Sequence, residues 1–195
     1  MNKLICYGDS NTFGWDPRGP LITCYDRPWV TALEELSGIS CVNKGRPGRR
    51  IPESDAELST LKRVVANSHG DAMLILLGTN NRFLAPNDSA SETVRKMDAL
   101  LSFLRSEFPD FPLLLMGLPP LYIPGEESGE WVSEVNALYA QLAEKYAIPY
   151  YDPKVELTLA FDGVHLSEEA HNALGNDLYA FLKEIEFIKN DPPES

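Results

Sequence analysis

No apolar run in this sequence approaches the roughly 18 residues that a membrane span requires; the longest, Ala72 to Leu77, is a fraction of that. The first residues offer one lysine and then the short run Leu4 to Tyr7, too brief for the apolar core of a signal peptide, so no export signal is expected. Cysteine is scarce as well. The three, Cys6, Cys24 and Cys41, are odd in number and lack C-x-x-C spacing, which argues against a disulfide framework or zinc cluster and for packing thiols in a reducing cytoplasm. Positive charge is short: 17 Lys and Arg face 29 Asp and Glu, and the field of the resulting −12 repels phosphate backbones and anionic headgroups. Nucleic acid and membranes are therefore not expected as partners. Phosphate-cradling motifs are missing too, since neither G-x-G-x-x-G nor G-x-x-x-x-G-K-[ST] occurs.

What remains is a chain of 195 residues, 44% hydrophobic, sized for one core. Five short apolar runs without alternation recur: Leu4–Tyr7, Ile39–Val42, Ala72–Leu77, Leu113–Met116 and Ile148–Tyr151. Such runs suit parallel strands buried on both faces. Helical spacing fills the intervals, as in Trp29-Leu33-Leu36, Leu58-Leu61-Val65 and Val94-Met97-Leu101-Leu104. A last helix is predicted behind Ser167 as N-cap, with Glu168 and Glu169 in its first turn. His171 falls inside it as an expected half-exposed helix residue, and His69 falls where an earlier helix ends. The expected fold is a single α/β domain over 1–195, a three-layer α/β/α sandwich on a five-stranded parallel sheet. Residues 190–195 form a polar tail expected to fray. Functional groups should gather beyond the carboxyl ends of the strands, where two long loops, Asn11 to Pro28 and Leu118 to Glu130, also lie.

Four blocks meet at that rim. The first strand runs into Gly8-Asp9-Ser10-Asn11, which makes Ser10 a candidate nucleophile. The second leads to Asn43-Lys-Gly45-Arg-Pro-Gly48, whose glycines allow a backbone N–H to approach a ligand closely. The third ends in Gly78-Thr79-Asn80-Asn81, where Asn80 offers the neutral carboxamide donor an oxyanion wants. After the fifth comes Asp162-Gly163-Val164-His165; three-residue spacing in a tight loop brings the carboxylate to the imidazole and suits His165 as general base. As metal ligands Asp162 and His165 lack a third partner of suitable spacing, so no metal and no cofactor is expected.

These blocks, in this order from Gly8 to His165, resemble the SGNH hydrolases, also called the GDSL esterase and lipase family. The stretch from Gly8 to Pro17, with Arg27-Pro-Trp29, is similar to its arylesterase and acyltransferase branch. The resemblance implies a flavodoxin-like SGNH fold and a triad of Ser10, Asp162 and His165. It also implies an oxyanion hole of Ser10, Gly48 and Asn80, Gly48 being preferred to Gly45 because the family's functional glycine is usually the later one. Asn81 departs from the family, which more often has Asp there, and leaves a supporting hydrogen bond in question. The α/β-hydrolase alternative is disfavoured because its G-x-S-x-G elbow would need glycine at Thr12.

The expected activity is cleavage of short-chain carboxylic esters through an acyl-enzyme, with acyl transfer to alcohols as an extension. The partner would be a small-molecule ester, and the sequence leaves a homo-oligomer open. With no cap domain to build a long acyl tunnel, the pocket walls should come from loop aromatics: Phe13, Trp15 and Tyr122, with Trp131 beside them. The competing reading is a non-catalytic flavodoxin-like module that binds an anionic cofactor at the same switch point.

Overall fold

The computed structural model describes residues 1–84 and 88–188; the tail 190–195 lies outside these. Five parallel strands appear where the apolar runs predict them: β1 (Lys3–Gly8), β2 (Ser40–Gly45), β3 (Ala72–Leu76), β4 (Leu113–Met116) and β5 (Tyr150–Tyr151). Their order in the sheet is β2-β1-β3-β4-β5. The chain thus turns from one side of β1 to the other between β2 and β3, which opens a crevice at the β1 carboxyl end. The centre of the sheet is dry: β3 and β4 are buried throughout. β2 differs from expectation. It pairs with β1 alone among the described strands and has only exposed and half-buried residues, because an edge strand is covered on fewer sides.

The seven helices described are α1 (Ser10–Phe13), α2 (Trp29–Ser37), α3 (Asp55–Ser68), α4 (Thr79–Phe83), α5 (Ala90–Glu107), α6 (Ser128–Tyr146) and α7 (Glu168–Glu184). Two loops expected from the sequence are therefore shorter than drawn. The first begins with the single helical turn α1, and the second ends at Ser128, where α6 starts. Caps explain several starts. Ser54 and Glu57 form a reciprocal capping box on α3, and Ser89 and Ser167 accept from the third N–H of α5 and α7. His69 ends α3 in the left-handed conformation.

Trp131 and His171 both correct the sequence reading. Trp131 is a core side chain of α6, 7% exposed, and no pocket wall. His171 is fully buried where α7 packs on α2, since its face of α7 meets Trp29 and Tyr25. The packing of α2 on α7 depends on Gly175: a Cβ there would sit 2.6 Å from Ala32 Cβ and 3.1 Å from the Trp29 carbonyl oxygen. Alanine would gain about 1 kcal/mol of helix propensity at this site. Overpacking costs about 1–3 kcal/mol and should win, because two helix backbones must part. We expect Gly175→Ala to lower Tm by a few degrees in a thermal melt, at about 2–4 °C per kcal/mol for this size; an unchanged or higher Tm would show that the helices separate freely.

Candidate active site

The site is built from the two ends of the chain. β1 delivers Gly8 and then Asp9, whose carboxylate caps α1 by accepting from the Asn11 N–H at 2.9 Å. That turn lifts Ser10 to the sheet's rim with only 5% of its surface exposed. From the far end comes an antiparallel hairpin, in which the Ala160 N–H donates to the His165 carbonyl and Ser167 N–H to the Thr158 carbonyl. At its tip Gly163 takes φ +73, and a Cβ there would lie 2.7 Å from the Tyr122 carbonyl oxygen, so both backbone and space require glycine.

Asp162 folds this tip around itself. One carboxylate oxygen accepts from the Val164 and His165 N–H groups at 3.0 Å each, and the other lies 2.6 Å from His165 Nδ1. His165 Nε2 is in turn 3.0 Å from Ser10 Oγ. Partial burial pushes the Asp162 carboxyl up, but the hydrogen bonds from His165 and the two backbone N–H groups outweigh it and hold its pKa below the usual carboxylate range. An ionised Asp162 accepts, so Nδ1 carries the imidazole proton and Nε2 is left to accept from the Ser10 hydroxyl. Trp15 stacks on the imidazole at 5.2 Å between ring centres and 22° between planes.

Asn80, in the first turn of α4, donates one N–H of its carboxamide to the Arg49 carbonyl at 3.1 Å, leaving the second for a ligand. Asn81 settles the question its identity raised: its Oδ1 accepts from the Ile51 N–H at 3.0 Å, a bond that does not need a carboxylate. Gly48 lies on the exposed β2–α3 loop at φ +73, and its N–H has no acceptor among the described residues. Gly45 serves packing instead, because a Cβ there would come within 2.1 Å of the Phe13 nitrogen.

Of the expected wall residues, Trp15 lines a groove of about 500 Å³ with Pro20, Leu21, Ile22, Phe161 and His165. Phe13 lines no part of this groove. Tyr122 is exposed beside Gly163, its N–H donating to the Gly163 carbonyl. The described residues hold no group of three His, Cys, Asp or Glu arranged for a metal, and no helix among them is long and apolar enough to cross a membrane.

Sequence reasoning missed Asn11. Its Nδ2 donates to the Val164 carbonyl at 3.2 Å and its Oδ1 accepts from Leu166 N–H at 2.9 Å, which ties the hairpin to β1. Its place directly after Ser10 was the available signal. Arg49 was also missed; it donates to the Gly8 and Lys44 carbonyls and lies over the Tyr7 ring.

The chain belongs to the GDSL-like lipase/acylhydrolase family, whose model matches residues 6–173, and it is a carboxylic ester hydrolase of the SGNH type. Solved structures share the fold. A carbohydrate acetylesterase family member from Sinorhizobium meliloti is 22% identical, with 96% of this chain and 100% of that one covered at a TM-score of 0.81. The aryl esterase of M. smegmatis is 22% identical over 94% and 99%, with a TM-score of 0.79. A lipase/acylhydrolase from Enterococcus faecalis is 18% identical over 98% and 100%, at 0.75. None of the curated proteins matches the chain.

Asp9 gives this site a pH signature. Complete burial pushes its carboxyl up to about 7, against an ordinary value of 3.8, even though the Asn11 N–H and Arg49 pull it down. A raised carboxyl leaves stability highest below pH about 4, and stability falls as pH climbs to 7, where the fold must hold the charge. Asp9→Asn keeps an oxygen for Asn11 and removes the charge. We expect it to raise stability at pH 8 by on the order of a few kcal/mol, less any loss from an unpaired amide, and hence to raise Tm, and the gain to shrink steadily towards pH 4. A gain independent of pH, measured by paired melts, would refute the ionisation.

Proposed function

We propose that the chain is a serine esterase in which Ser10 is the nucleophile, His165 the general base and Asp162 its orienting partner. The continuous hydrogen-bonded line from Asp162 through His165 to Ser10, at 2.6 and 3.0 Å, carries this reading. A free serine hydroxyl is a poor nucleophile at neutral pH; it becomes competent when Nε2 takes its proton as Oγ attacks the ester carbonyl. Asp162 stabilises the imidazolium that forms and holds the ring's tautomer. The face of Trp15 restrains the ring from tilting off that line.

Charge then develops on the carbonyl oxygen. The Ser10 N–H at the start of α1, the Gly48 N–H and the free N–H of the Asn80 carboxamide are the donors we assign to it. Because the charge grows only in the transition state, fixed donors lower the barrier without tightening ground-state binding. The imidazolium protonates the leaving alkoxide, an acyl-Ser10 ester remains, and water attacks it with His165 again as base. An acceptor alcohol in place of water gives acyl transfer.

The alcohol must leave past His165 Nε2, where the apolar groove of Trp15, Pro20 and Phe161 receives it. Ring-bearing alcohols suit such walls, and the relatives named for aryl esters and carbohydrate acetates support that choice. The cavity described beside Gly48 is walled by charged side chains, among them Arg46, Arg50 and Glu57, and offers an aliphatic acyl chain little apolar surface. Short aliphatic acyl groups are therefore preferred: each methylene left without apolar contact forgoes about 0.8 kcal/mol of burial. The three free thiols support a reducing compartment, and the matched span supports one SGNH domain acting on a small ester.

One assay tests both halves. Ser10→Ala and His165→Ala should each remove nearly all turnover of nitrophenyl acetate with the fold intact, and the double variant should be hardly worse, since the pair acts as a unit. The wild-type kcat/KM should fall along nitrophenyl esters from C2 to C12, read below micelle formation. A near wild-type rate in Ser10→Ala would remove the nucleophile assignment; a maximum at C8 or beyond would remove the shallow pocket.

A further inference from the structure

Lys44, Arg46, Arg49 and Arg50 crowd into residues 44–50, at the end of β2 and on the loop before α3. Elsewhere cations find carboxylates: Arg18 with Asp16, Arg27 with Glu35, Arg95 with Glu92 and Lys145 with Asp98. None of the four on this segment forms an ion pair among the described residues, in a chain where acids outnumber bases by 29 to 17. Arg49 has a structural task, with hydrogen bonds to two carbonyls and its guanidinium 4.1 Å above the Tyr7 ring. The side chains of Arg46 and Arg50 have none: both residues are exposed, neither guanidinium makes a hydrogen bond among the described residues, and with Gly48 they line a cavity of about 390 Å³. The carboxylate in that wall, Glu57, is held through Oε2 by the Ser54 hydroxyl and the Ser54 and Glu53 N–H groups; Arg50 attracts it only at longer range, without an ion pair. Two guanidinium forks without a hydrogen-bond or ion-pair partner among the described residues thus stand beside a glycine assigned to the oxyanion.

What they read follows from the tetrahedral carbon, on the serine-esterase reading above. Its four substituents are Ser10 Oγ, the oxyanion towards Gly48 and Asn80, the leaving oxygen facing His165 Nε2, and the acyl chain. The leaving group occupies the apolar groove beside Trp15. The acyl chain is thereby turned away from the leaving group, and the cavity that Gly48 shares with Arg46 and Arg50 is the one we assign to its distal end. We propose that Arg46 and Arg50 form a subsite for a carboxylate carried at the distal end of the acyl group, so that half-esters of dicarboxylic acids are favoured acyl donors. Guanidinium forks match a carboxylate's two oxygens, and their charge offsets a molecular field of −12 that would otherwise repel such substrates.

The test compares kcat/KM for mono-4-nitrophenyl adipate and 4-nitrophenyl hexanoate, acyl groups of equal carbon number that differ in terminal charge. The wild type should favour the adipate by about tenfold at low salt, a charge-assisted contact discounted for its exposure. The ratio should collapse near 1 M ionic strength, where the Debye length is about 3 Å. It should also fall towards one or below in an Arg46→Gln, Arg50→Gln double variant; being internal to each protein, the ratio is insensitive to partial unfolding. A wild-type ratio at or below one, or a ratio that survives the double substitution, overturns the subsite. If hexanoate itself is hydrolysed without need of Ser10, the serine reading has failed; if its hydrolysis needs Ser10 and the ratio is flat, only the subsite has.

Discussion

Two hydrogen bonds from one carboxamide hold this site together. Asn11 follows Ser10 at the end of β1, and through Val164 and Leu166 it grips a hairpin more than 150 positions away in the chain. That grip sets the hairpin's distance from β1 and so helps place His165 at 3.0 Å from Ser10, since Asp162 orients the imidazole only within its own hairpin, while Trp15 and the Tyr122 N–H hold the tip from the loops. The clamp is supported from behind. Trp29 donates its indole N–H to the Asn11 carbonyl at 3.0 Å and its backbone N–H to His171 Nδ1 at 3.3 Å. His171 can accept because burial drives its pKa down to about 4, keeping it neutral in the contact between α2 and α7. Loss of the Asn11 carboxamide would strand buried polar groups, each costing about 1–3 kcal/mol, in the one place where position decides the chemistry.

Around that clamp, three acidic or basic side chains are tuned by environment rather than identity. Asp9 adjoins Ser10 and Asp162 meets His165, yet burial raises one carboxyl while the hydrogen bonds of the hairpin tip lower the other. Asp9 acts as an N-cap that can be neutral; Asp162 acts as a fixed charge. Arg49 lies under the loop that carries Gly48, and burial lowers its pKa while Tyr7 offers its ring as a partial counterweight. Neighbouring residues on the same loop face water instead, so one short segment supplies both the scaffold and the charge beside it.

The sheet was legible because its signal is local. Five uninterrupted apolar runs need no knowledge of their neighbours, and all five became strands. The exposure of β2 was not legible, because edge position depends on strand order and Ile39 to Val42 reads like a central strand. The four blocks could be placed on one rim since each follows a strand, and the structure brings Ser10, Asp162 and His165 into one line there. Asn11 escaped notice because an asparagine in a turn has the same appearance whether it closes that turn or reaches across the fold. Trp15 and Trp131 divide for a similar reason: one packs on an imidazole and the other enters the core, a difference set by tertiary contacts that no spacing encodes.

The account stands or falls on the reactivity of a single hydroxyl. Incubation with a serine-directed organophosphate, followed by peptide mass spectrometry, reads it directly. The account predicts one adduct, on the peptide that carries Ser10, formed in step with loss of esterase activity and abolished in His165→Ala. An adduct on another serine with activity lost, or undiminished activity once Ser10 is modified, would contradict it.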